Sequence, residues 1–288
     1  MGYLSYGLWL LSIEPAHGLH AAHAPLARSV GALRMPAVGR SAKPLASTAG
    51  TSVGANDVAP VVRPVITAST AHDRTSFTQG LAFWRGRLFE GTGLYGHSLV
   101  HELDPRSGQE LRRVYLPNAL FGEGITVLGG KLYQLTWMEH RCLIYDADTL
   151  RLLTQVPYEG EGWGLANDGH LLITSDGSEW IRFRDPATMK VVRAIEVTEN
   201  GRPLRSLNEL EVVRGELWAN VWQTNFIVRI SLQTGKVTGK LDLSNVVSSS
   251  RRSGDPDDVL NGIAFDDQTG RLVVTGKRWP FMFDIATD

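Results

Sequence analysis

The sequence has little of several features that commonly assign a protein to a class. Cys142 is the one cysteine among 288 residues, which excludes an internal disulfide framework and a multi-cysteine zinc site. Lys and Arg total 29 and Asp and Glu total 30, so the basic excess typical of nucleic-acid-binding proteins is missing and we predict no such partner. No apolar run of about 18 residues occurs, which predicts that no segment spans a membrane.

Residues 1–60 differ in composition from the rest of the chain. They hold twelve alanines and only two acidic residues, with many small residues, Pro and Gly and no sustained helix or strand period. This composition predicts a flexible leader or linker over 1–60, followed by a folded domain over 61–288.

The leader contains an apolar run from Tyr3 to Ile13, which has the length of the hydrophobic part of a secretory signal. No Lys or Arg precedes this run, and Pro25 follows the small-residue site Ala22-His23-Ala24, so the leader is atypical. We predict export, to the periplasm or outside the cell.

From residue 61 onward the sequence repeats. Five short apolar segments recur at intervals of 40 to 53 residues. They begin at Gly80, Gly124, Gly164, Glu209 and Gly262. After each segment come a turn, a second apolar run, a third run and another turn. In most repeats a fourth strand with alternating apolar and polar residues follows. Four short antiparallel strands per repeat, without a long helical period, predict an all-β fold of propeller blades.

The fifth repeat has only three strands before Asp288. The segment Pro64 to Ser69, just before the first repeat, can supply its missing outer strand. This pairing would close the ring and leave no open sheet edge between the first and last blades. We therefore predict a five-bladed β-propeller whose N-terminal strand completes the last blade.

In such a fold, the loops that enter the innermost strands meet at one mouth of the central channel. These loops share amides, carboxylates and aromatic residues. They are Phe77-Thr78-Gln79, Phe121-Gly122-Glu123, Glu161-Gly162-Trp163, Leu207-Asn208 and Leu260-Asn261. Each amide taken singly could simply cap a strand end, whereas the set predicts a small-molecule pocket.

Three tryptophans, Trp137, Trp163 and Trp222, have polar neighbours and are predicted to project toward the same mouth. Three others, Trp84, Trp180 and Trp218, lie within apolar strand patterns, which predicts core positions for them. Lys277 ends the second strand of the fifth repeat, either as a lone cation near the pocket or exposed to solvent.

The loop motifs resemble those of a known family. Phe77-Thr78-Gln79-Gly80-Leu81, Phe121-Gly122-Glu123-Gly124-Ile125, Gly160-Glu161-Gly162-Trp163-Gly164-Leu165, Leu207-Asn208-Glu209-Leu210-Glu211 and Leu260-Asn261-Gly262-Ile263-Ala264 are similar to the plant and bacterial type of glutaminyl-peptide cyclotransferase. Each motif alone is weak, but the ordered set across residues 64–285 is specific. The resemblance implies a five-bladed propeller that converts the N-terminal glutamine of peptides or proteins into pyroglutamate and releases ammonia.

The resemblance also implies roles for individual residues. Glu123 would be the acid/base residue, and Gln79, Asn208 and Lys277 would be polar groups of the site. The aromatic walls would be Phe77, Phe121, Trp137, Trp163 and Trp222. We assign no metal ligand and no cofactor, expect peptides or proteins with an N-terminal glutamine as the partners, and expect a monomer because a closed propeller leaves no sheet to be completed.

Two alternatives remain at this stage. A calcium-dependent, lactonase-like propeller hydrolase could use Glu123, Asn208 and Asn261 around a central metal. A non-catalytic propeller that serves as an interaction scaffold would instead present an exposed apolar patch and a channel without convergent polar groups.

Overall fold

Short strands arranged four to a sheet dominate residues 58–287, the part of the chain that the computed structural model describes. The apolar run from Tyr3 to Ile13, on which the prediction of export rests, and all of the predicted leader before residue 58 lie outside the described residues. In chain order the elements are β1 (Val61–Val62), β2 (Val65–Ala71), β3 (Thr78–Trp84), β4 (Arg87–Thr92), β5 (Leu99–Leu103), β6 (Glu110–Tyr115), β7 (Gly122–Leu128), β8 (Lys131–Thr136), β9 (Arg141–Asp146), β10 (Leu152–Pro157), β11 (Leu165–Asn167), β12 (Leu172–Thr174), β13 (Trp180–Arg184), β14 (Val191–Glu196), β15 (Thr198–Glu199), β16 (Arg202–Pro203), β17 (Leu207–Val213), β18 (Glu216–Val221), β19 (Phe226–Ile230), β20 (Val237–Asp242), α1 (Ser244–Ser249), β21 (Leu260–Asp266), β22 (Arg271–Gly276) and β23 (Phe281–Ala286).

The sheets confirm a five-bladed propeller. Blades 1 to 4 are the antiparallel sheets β3–β6, β7–β10, β11–β14 and β17–β20, each built from strands that follow one another in the chain. Blade 5 is β21, β22 and β23 with β2 as its outer strand. The innermost strands β3, β7, β11, β17 and β21 contact one another in turn around the central channel.

The N-terminal segment closes the ring, as the sequence predicts. Strand β2 pairs antiparallel with β23, with Ile66 opposite Ile285 and Ser69 opposite Phe283. The structure adds a contact that the sequence did not suggest, because β1 pairs parallel with β20 on the outside of blade 4. The segment before β3 is therefore hydrogen-bonded to two blades.

Apolar side chains form five buried clusters, and each cluster lies between two neighbouring blades. The cluster between blades 2 and 3, for example, contains Leu135, Cys142 and Leu172, all with no exposed surface. Because strand residues alternate between the two faces of a sheet, each blade can bury one face against each neighbour. Burial of both faces explains why the inner and second strands, such as β21 and β8, are buried at nearly every position, while the outer strands β10 and β14 are largely exposed.

One of the core predictions is wrong. Trp218 is buried and Trp84 packs partly buried against a core cluster, but the side chain of Trp180 is 39% exposed. On β13, Ile181 and Phe183 are buried in the core cluster between blades 3 and 4. Trp180 is one residue out of phase with them, so strand alternation turns it to the other face. It also begins β13 and pairs with the exposed Glu196 of the outer strand β14, where no neighbouring blade covers it.

Glycine allows the inner strands to approach closely at the channel. A Cβ atom on Gly164 would lie 2.0 Å from the carbonyl oxygen of Asn208 in blade 4, and one on Gly124 would lie 2.5 Å from the amide nitrogen of Leu165 in blade 3. A side chain at either position would push adjacent blades apart, so these repeat-starting glycines set the width of the channel.

The extra length of the fourth repeat contains the short helix α1, which precedes most of the polar stretch from Ser248 to Asp255. Its residues Val246 and Val247 pack into the core cluster between blades 4 and 5. No helix in the described part of the chain has the length and apolar character needed to cross a membrane.

Candidate active site

One cavity at a mouth of the channel is lined by the residues that the loop motifs singled out. It encloses about 240 Å³ and is lined by Phe77, Gln79, Phe121, Glu123, Trp137, Trp163, Asn208, Trp222 and Lys277. All five blades contribute, and the lining residues are separated by up to two hundred positions in sequence. The fold therefore brings all nine side chains together, while their individual roles stay predictions.

A repeated irregularity of the inner strands positions the polar side chains. In β3, β7, β17 and β21 the pairing register shifts at the equivalent place, between Thr78 and Gly80 in the first blade and between Gly122 and Ile125 in the second. The first residue within each of these shifts is polar, and these residues are Gln79, Glu123, Asn208 and Asn261. A bulge takes a residue out of the ladder and re-aims its side chain. The bulges therefore account for how the four blades direct polar groups to one end of the channel.

Glu123 is held by a chain of amide groups. Nε2 of Gln79 donates a hydrogen bond to Oε1 of Glu123 at 3.2 Å. Nδ2 of Asn261 donates to the backbone oxygen of Thr78 at 3.0 Å and to Oε1 of Gln79 at 3.3 Å. Because the oxygen of Gln79 accepts from Asn261, its NH₂ group is turned toward Glu123. Asn261 is fully buried and outside the cavity lining, so it orients Gln79 from behind.

The carboxyl group of Glu123 is 5% exposed, and this burial raises its pKa well above the usual range. The positive charge of Lys277 opposes this rise, while the negative charges of Glu139 and Glu161 add to it. A carboxyl group with a raised pKa can both accept and donate a proton near neutral pH, which is what acid–base catalysis requires.

Lys277 belongs to the cavity and is not exposed to solvent, since only 6% of its surface is accessible. Its Nζ lies 4.5 Å from the centre of the Phe77 ring, within cation–π distance. Burial lowers the pKa of Lys277, and the negative charge of Glu123 partly restores it. One cation and one carboxyl group thus share the same apolar enclosure.

Asn208 is 4% exposed, and its Oδ1 has no hydrogen-bond partner within residues 58–287. The backbone around it is fixed, because Oγ of Ser175 donates to the carbonyl oxygen of Asn208 at 2.6 Å and accepts from the amide of Gly164 at 2.8 Å. A buried polar atom without a partner costs free energy in a folded protein. This oxygen has almost no accessible surface, so it is not the atom that Asn208 presents to the cavity.

The aromatic walls form two stacks of edge-to-face rings. Phe121 packs against Phe77 with ring centres 6.3 Å apart and against Trp137 at 5.6 Å. On the other side, Trp163 packs against Trp222 at 5.6 Å. The walls make the cavity predominantly apolar apart from its four polar groups.

Three further residues contact the lining of the cavity, although the sequence analysis assigned them no role. Glu161 accepts hydrogen bonds from the indole groups of Trp137 and Trp163. Tyr95 packs on Phe121 with ring centres 5.4 Å apart and donates its hydroxyl to Glu139 at 2.8 Å. Glu161 was visible within a loop motif, whereas Tyr95 and Glu139 lie outside the repeat-starting loops and had no sequence signal.

A larger cleft of about 560 Å³ is lined by the turns that join the first and second strands of the blades, including Arg85, Gly169 and Gly215. It contains none of the nine residues described above. Within residues 58–287, no group of three or more His, Cys, Asp or Glu side chains is arranged to hold a metal ion.

A closed propeller with a small, aromatic-walled cavity around a buried carboxyl group defines a propeller enzyme that acts on a small group. Comparison with known proteins identifies which one. The sequence model of the glutamine cyclotransferase family matches residues 40–287, and the chain belongs to this family. The match includes residues 40–60, which the loop motifs do not cover.

Two relatives agree with this assignment. The chain is 44% identical over 226 residues to a glutaminyl-peptide cyclotransferase of Arabidopsis thaliana. The aligned region covers 76% of this chain and 70% of the relative. The crystal structure of the glutaminyl cyclase of Myxococcus xanthus superposes with a TM-score of 0.76 at 33% identity, over 80% of this chain and 98% of that one. The family resemblance expected from the loop motifs is confirmed.

Proposed function

We propose that this enzyme converts the N-terminal glutamine of peptides or proteins into pyroglutamate and releases ammonia, in the cavity around Glu123. The observation that carries the proposal is the convergence of a buried carboxyl group, two amides and a buried ammonium group inside aromatic walls. A cavity of about 240 Å³ is smaller than the roughly 300–1,000 Å³ of pockets for drug-sized ligands. This size favours one side chain at a chain terminus.

The reaction needs no nucleophile from the enzyme. The α-amine nitrogen of the substrate attacks the Cδ carbon of its own side chain, so the N–Cδ bond forms and the Cδ–Nε2 bond breaks. The glutaminyl group must be curled to bring these atoms within about 3–3.5 Å of each other. The two aromatic stacks, Phe77–Phe121–Trp137 and Trp163–Trp222, are suited to hold it in that conformation.

One proton must move from the attacking amine to the departing nitrogen. The substrate reacts with its α-amine in the neutral form, after the proton of the α-ammonium group has gone to solvent. The attacking nitrogen then loses a second proton as the N–Cδ bond forms, and the amide nitrogen leaves as ammonia only after it gains one. Glu123 can accept this second proton as a carboxylate and return it to the leaving nitrogen as a carboxylic acid, so the carboxyl group ends the cycle unchanged. Its raised pKa brings it closer to the pKa of an α-amine, about 7.7–8.0, which eases both transfers.

Negative charge develops on the former carbonyl oxygen as the amine attacks. The Lys277 ammonium group and the amides of Gln79 and Asn208 are the hydrogen-bond donors of the cavity. One donor placed at a developing oxyanion typically contributes about 3–4 kcal/mol to catalysis.

The aromatic walls limit access of water to Cδ, which disfavours hydrolysis of the side chain to glutamate. The family assignment separates this function from the calcium-dependent hydrolase and from the scaffold.

The test is to incubate the purified chain with a synthetic peptide that begins with Gln-Ala and to follow ammonia release and the mass of the peptide. We expect stoichiometric ammonia and a mass loss of one ammonia per peptide. The same peptide with an acetylated N-terminus is the matched control, since its nitrogen cannot attack. Absence of ammonia from the free peptide, or equal release from both peptides, would refute the proposed function.

We also propose that the catalytic domain covers residues 61–288, that residues 1–60 form its leader, and that the enzyme is exported and monomeric. The apolar run from Tyr3 to Ile13 supports export. Cell fractionation of the full chain tests export, and sedimentation of the purified enzyme tests the monomer. An exclusively cytoplasmic location or a stable dimer would contradict these points.

A further inference from the structure

Two indole groups of the cavity walls share one carboxylate oxygen. Oε2 of Glu161 accepts from Nε1 of Trp137 at 3.0 Å and from Nε1 of Trp163 at 3.1 Å. Both tryptophans line the cavity, whereas Glu161 does not. The carboxylate therefore lies behind the wall and contacts the outer edges of the two rings.

Glu161 joins the two aromatic stacks described above. Phe77, Phe121 and Trp137 form one stack, Trp163 and Trp222 form the other, and the edge-to-face contacts do not connect Trp137 with Trp163. The shared carboxylate bridges this gap between blade 2 and blade 3. A wall of five rings is thereby continuous around the cavity.

The loop that carries Glu161 is itself fixed. The amide of Gly162 donates to the backbone oxygen of Trp137 at 3.0 Å, and Nδ1 of His140 contacts the backbone oxygen of Gly160 at 2.8 Å. A Cβ atom on Gly162 would lie 2.1 Å from the hydroxyl of Tyr158, so the loop is packed tightly against blade 2. The position of the carboxylate follows from this packing.

We propose that Glu161 is a positioning residue of the reaction, which fixes Trp137 and Trp163 at the orientation that holds the curled glutaminyl group. The inference rests on the proposed function, because the orientation of the two rings is said to hold the glutaminyl group of the substrate. Hydrogen bonds between an N–H donor and a carboxylate are stronger than those between neutral groups. A single oxygen that accepts two of them sets the angle of one ring relative to the other.

The charge of Glu161 has a second effect that can be measured separately. The groups that act on Glu123 electrostatically are Lys277, whose charge lowers its pKa, and Glu139 and Glu161, whose charges raise it. Removal of the Glu161 charge should therefore lower the pKa of Glu123. The acid limb of the pH profile of kcat/KM reports Glu123 in the free enzyme together with the α-amine of the free substrate. The amine is the same in every variant, so the change in the limb that comes from Glu123 should be toward lower pH.

Two substitutions separate position from charge. Glu161→Gln keeps an oxygen that can accept from both indoles and loses only the charge. We expect its indole Nε1–H resonances and its KM for the Gln-Ala peptide to stay close to those of the wild type, with the acid limb moved to lower pH. Glu161→Ala loses both hydrogen bonds, and we expect upfield shifts of the two indole resonances and a KM at least about tenfold higher.

The resonances are assigned with Trp137→Phe and Trp163→Phe. Glu159→Gln, an exposed glutamate of the same loop, removes the same charge two residues away and should change neither the resonances nor KM. Unchanged indole resonances and KM in Glu161→Ala would overturn the proposal. If Glu161→Ala does not fold, the wild-type spectrum decides, since Nε1–H protons of Trp137 and Trp163 that exchange with water as fast as that of the exposed Trp180 would overturn the proposal. An acid limb of Glu161→Gln that stays in place rejects the effect of the Glu161 charge.

The indole resonances are read without substrate. A wild-type enzyme that forms no pyroglutamate would therefore refute the proposed function alone. The spectra would still show whether Glu161 holds the two rings.

Discussion

Nε2 of Gln79 lies 3.2 Å from Oε1 of Glu123, and the oxygen of the same amide accepts from Asn261. The two hydrogen bonds leave the Gln79 amide one orientation, with its NH₂ group toward the carboxyl group. A carboxylate that accepts such a bond is fixed in direction, which proton transfer to a small substrate needs. The relationship connects three blades through three side chains.

Glu123→Gln should abolish most of the activity. The variant keeps the size and the polarity of the side chain but cannot carry a proton, and loss of a general acid–base group typically costs a factor of about 10²–10⁴ in rate. Ammonia release from the Gln-Ala peptide measures it, with circular dichroism and the melting temperature as checks of the fold. Near-normal ammonia release from a folded Glu123→Gln enzyme would exclude the role assigned to this carboxyl group.

Lys277→Met should shift the pH profile in the direction opposite to Glu161→Gln. The ammonium group stabilises the Glu123 carboxylate, so its removal raises the pKa of Glu123 and moves the acid limb of kcat/KM to higher pH. Lys131→Met, at an exposed lysine that begins β8, is the matched control and should leave the limb in place. An acid limb that moves to lower pH, or not at all, in Lys277→Met contradicts the electrostatic assignment.

Trp222→Ala should weaken substrate binding more than turnover. Trp222 supports Trp163 through an edge-to-face contact, and such a pair contributes about 0.5–1.5 kcal/mol beyond the area that it buries. We expect KM to rise several-fold with a smaller change in kcat. Trp180→Ala removes a partly exposed tryptophan that does not line the cavity. Equal effects of the two substitutions on KM would show that Trp222 has no specific part in binding.

A buried ionic cluster near the closing strand should make stability depend on pH. Glu90, with no exposed surface, contacts Nε2 of His72 at 3.0 Å and Nε2 of His101 at 2.6 Å. Burial alone would lower the pKa of both histidines, but Glu90, together with Glu110 in the case of His101, outweighs it and their pKa is raised. Burial alone would raise the pKa of Glu90, but the two histidines outweigh it and the pKa is lowered.

The sign of the pH dependence follows from these directions. The histidines stabilise the fold fully below their ordinary pKa of about 6.5, and this contribution is lost as the pH rises through their raised values. Glu90 contributes above its ordinary pKa of about 4.3 and loses its contribution as the pH falls. The stability difference between wild type and Glu90→Gln should therefore be largest between about pH 4.5 and 6.5.

Urea unfolding of wild type and Glu90→Gln at two pH values measures this difference. Removal of one partner of a buried ionic pair typically costs about 3–5 kcal/mol, and the cost should shrink at alkaline pH. Glu216→Gln, which breaks a partly exposed pair with Arg229, should cost at most about 1 kcal/mol. A stability difference for Glu90→Gln that grows toward alkaline pH would contradict the assignment.

Dialysis against a chelator should leave ammonia release unchanged, because the proposed proton transfer and charge stabilisation use only protein side chains. The matched control is dialysis without the chelator. Activity that is lost in the chelator and restored by zinc would contradict a reaction carried by Glu123 and Lys277 alone.

Much of the fold could be predicted because it depends on local and repeated information. The period of two within each strand, the turns after each run and the recurrence of Gly80, Gly124 and Gly164 are all visible along the chain. The missing outer strand after Phe283 was also predictable, since a propeller with an open blade would expose a sheet edge. The short pairing of β1 with β20 was not, because Val61 and Val62 carry no pattern of their own.

Six of the nine cavity residues could be selected because loops at equivalent positions of a repeat must meet at one end of a channel. The other three, Trp137, Trp222 and Lys277, could be selected because they follow second strands that lead to the same end. Their identities, the strand alternation and the family resemblance were therefore set by the sequence alone. Only the tertiary structure decided that Lys277 is buried, that Asn261 orients Gln79, and that Glu161 joins Trp137 to Trp163. Burial and hydrogen bonding between blades depend on distances of a few tenths of an ångström between segments far apart in the chain, and no periodicity in the sequence records those distances.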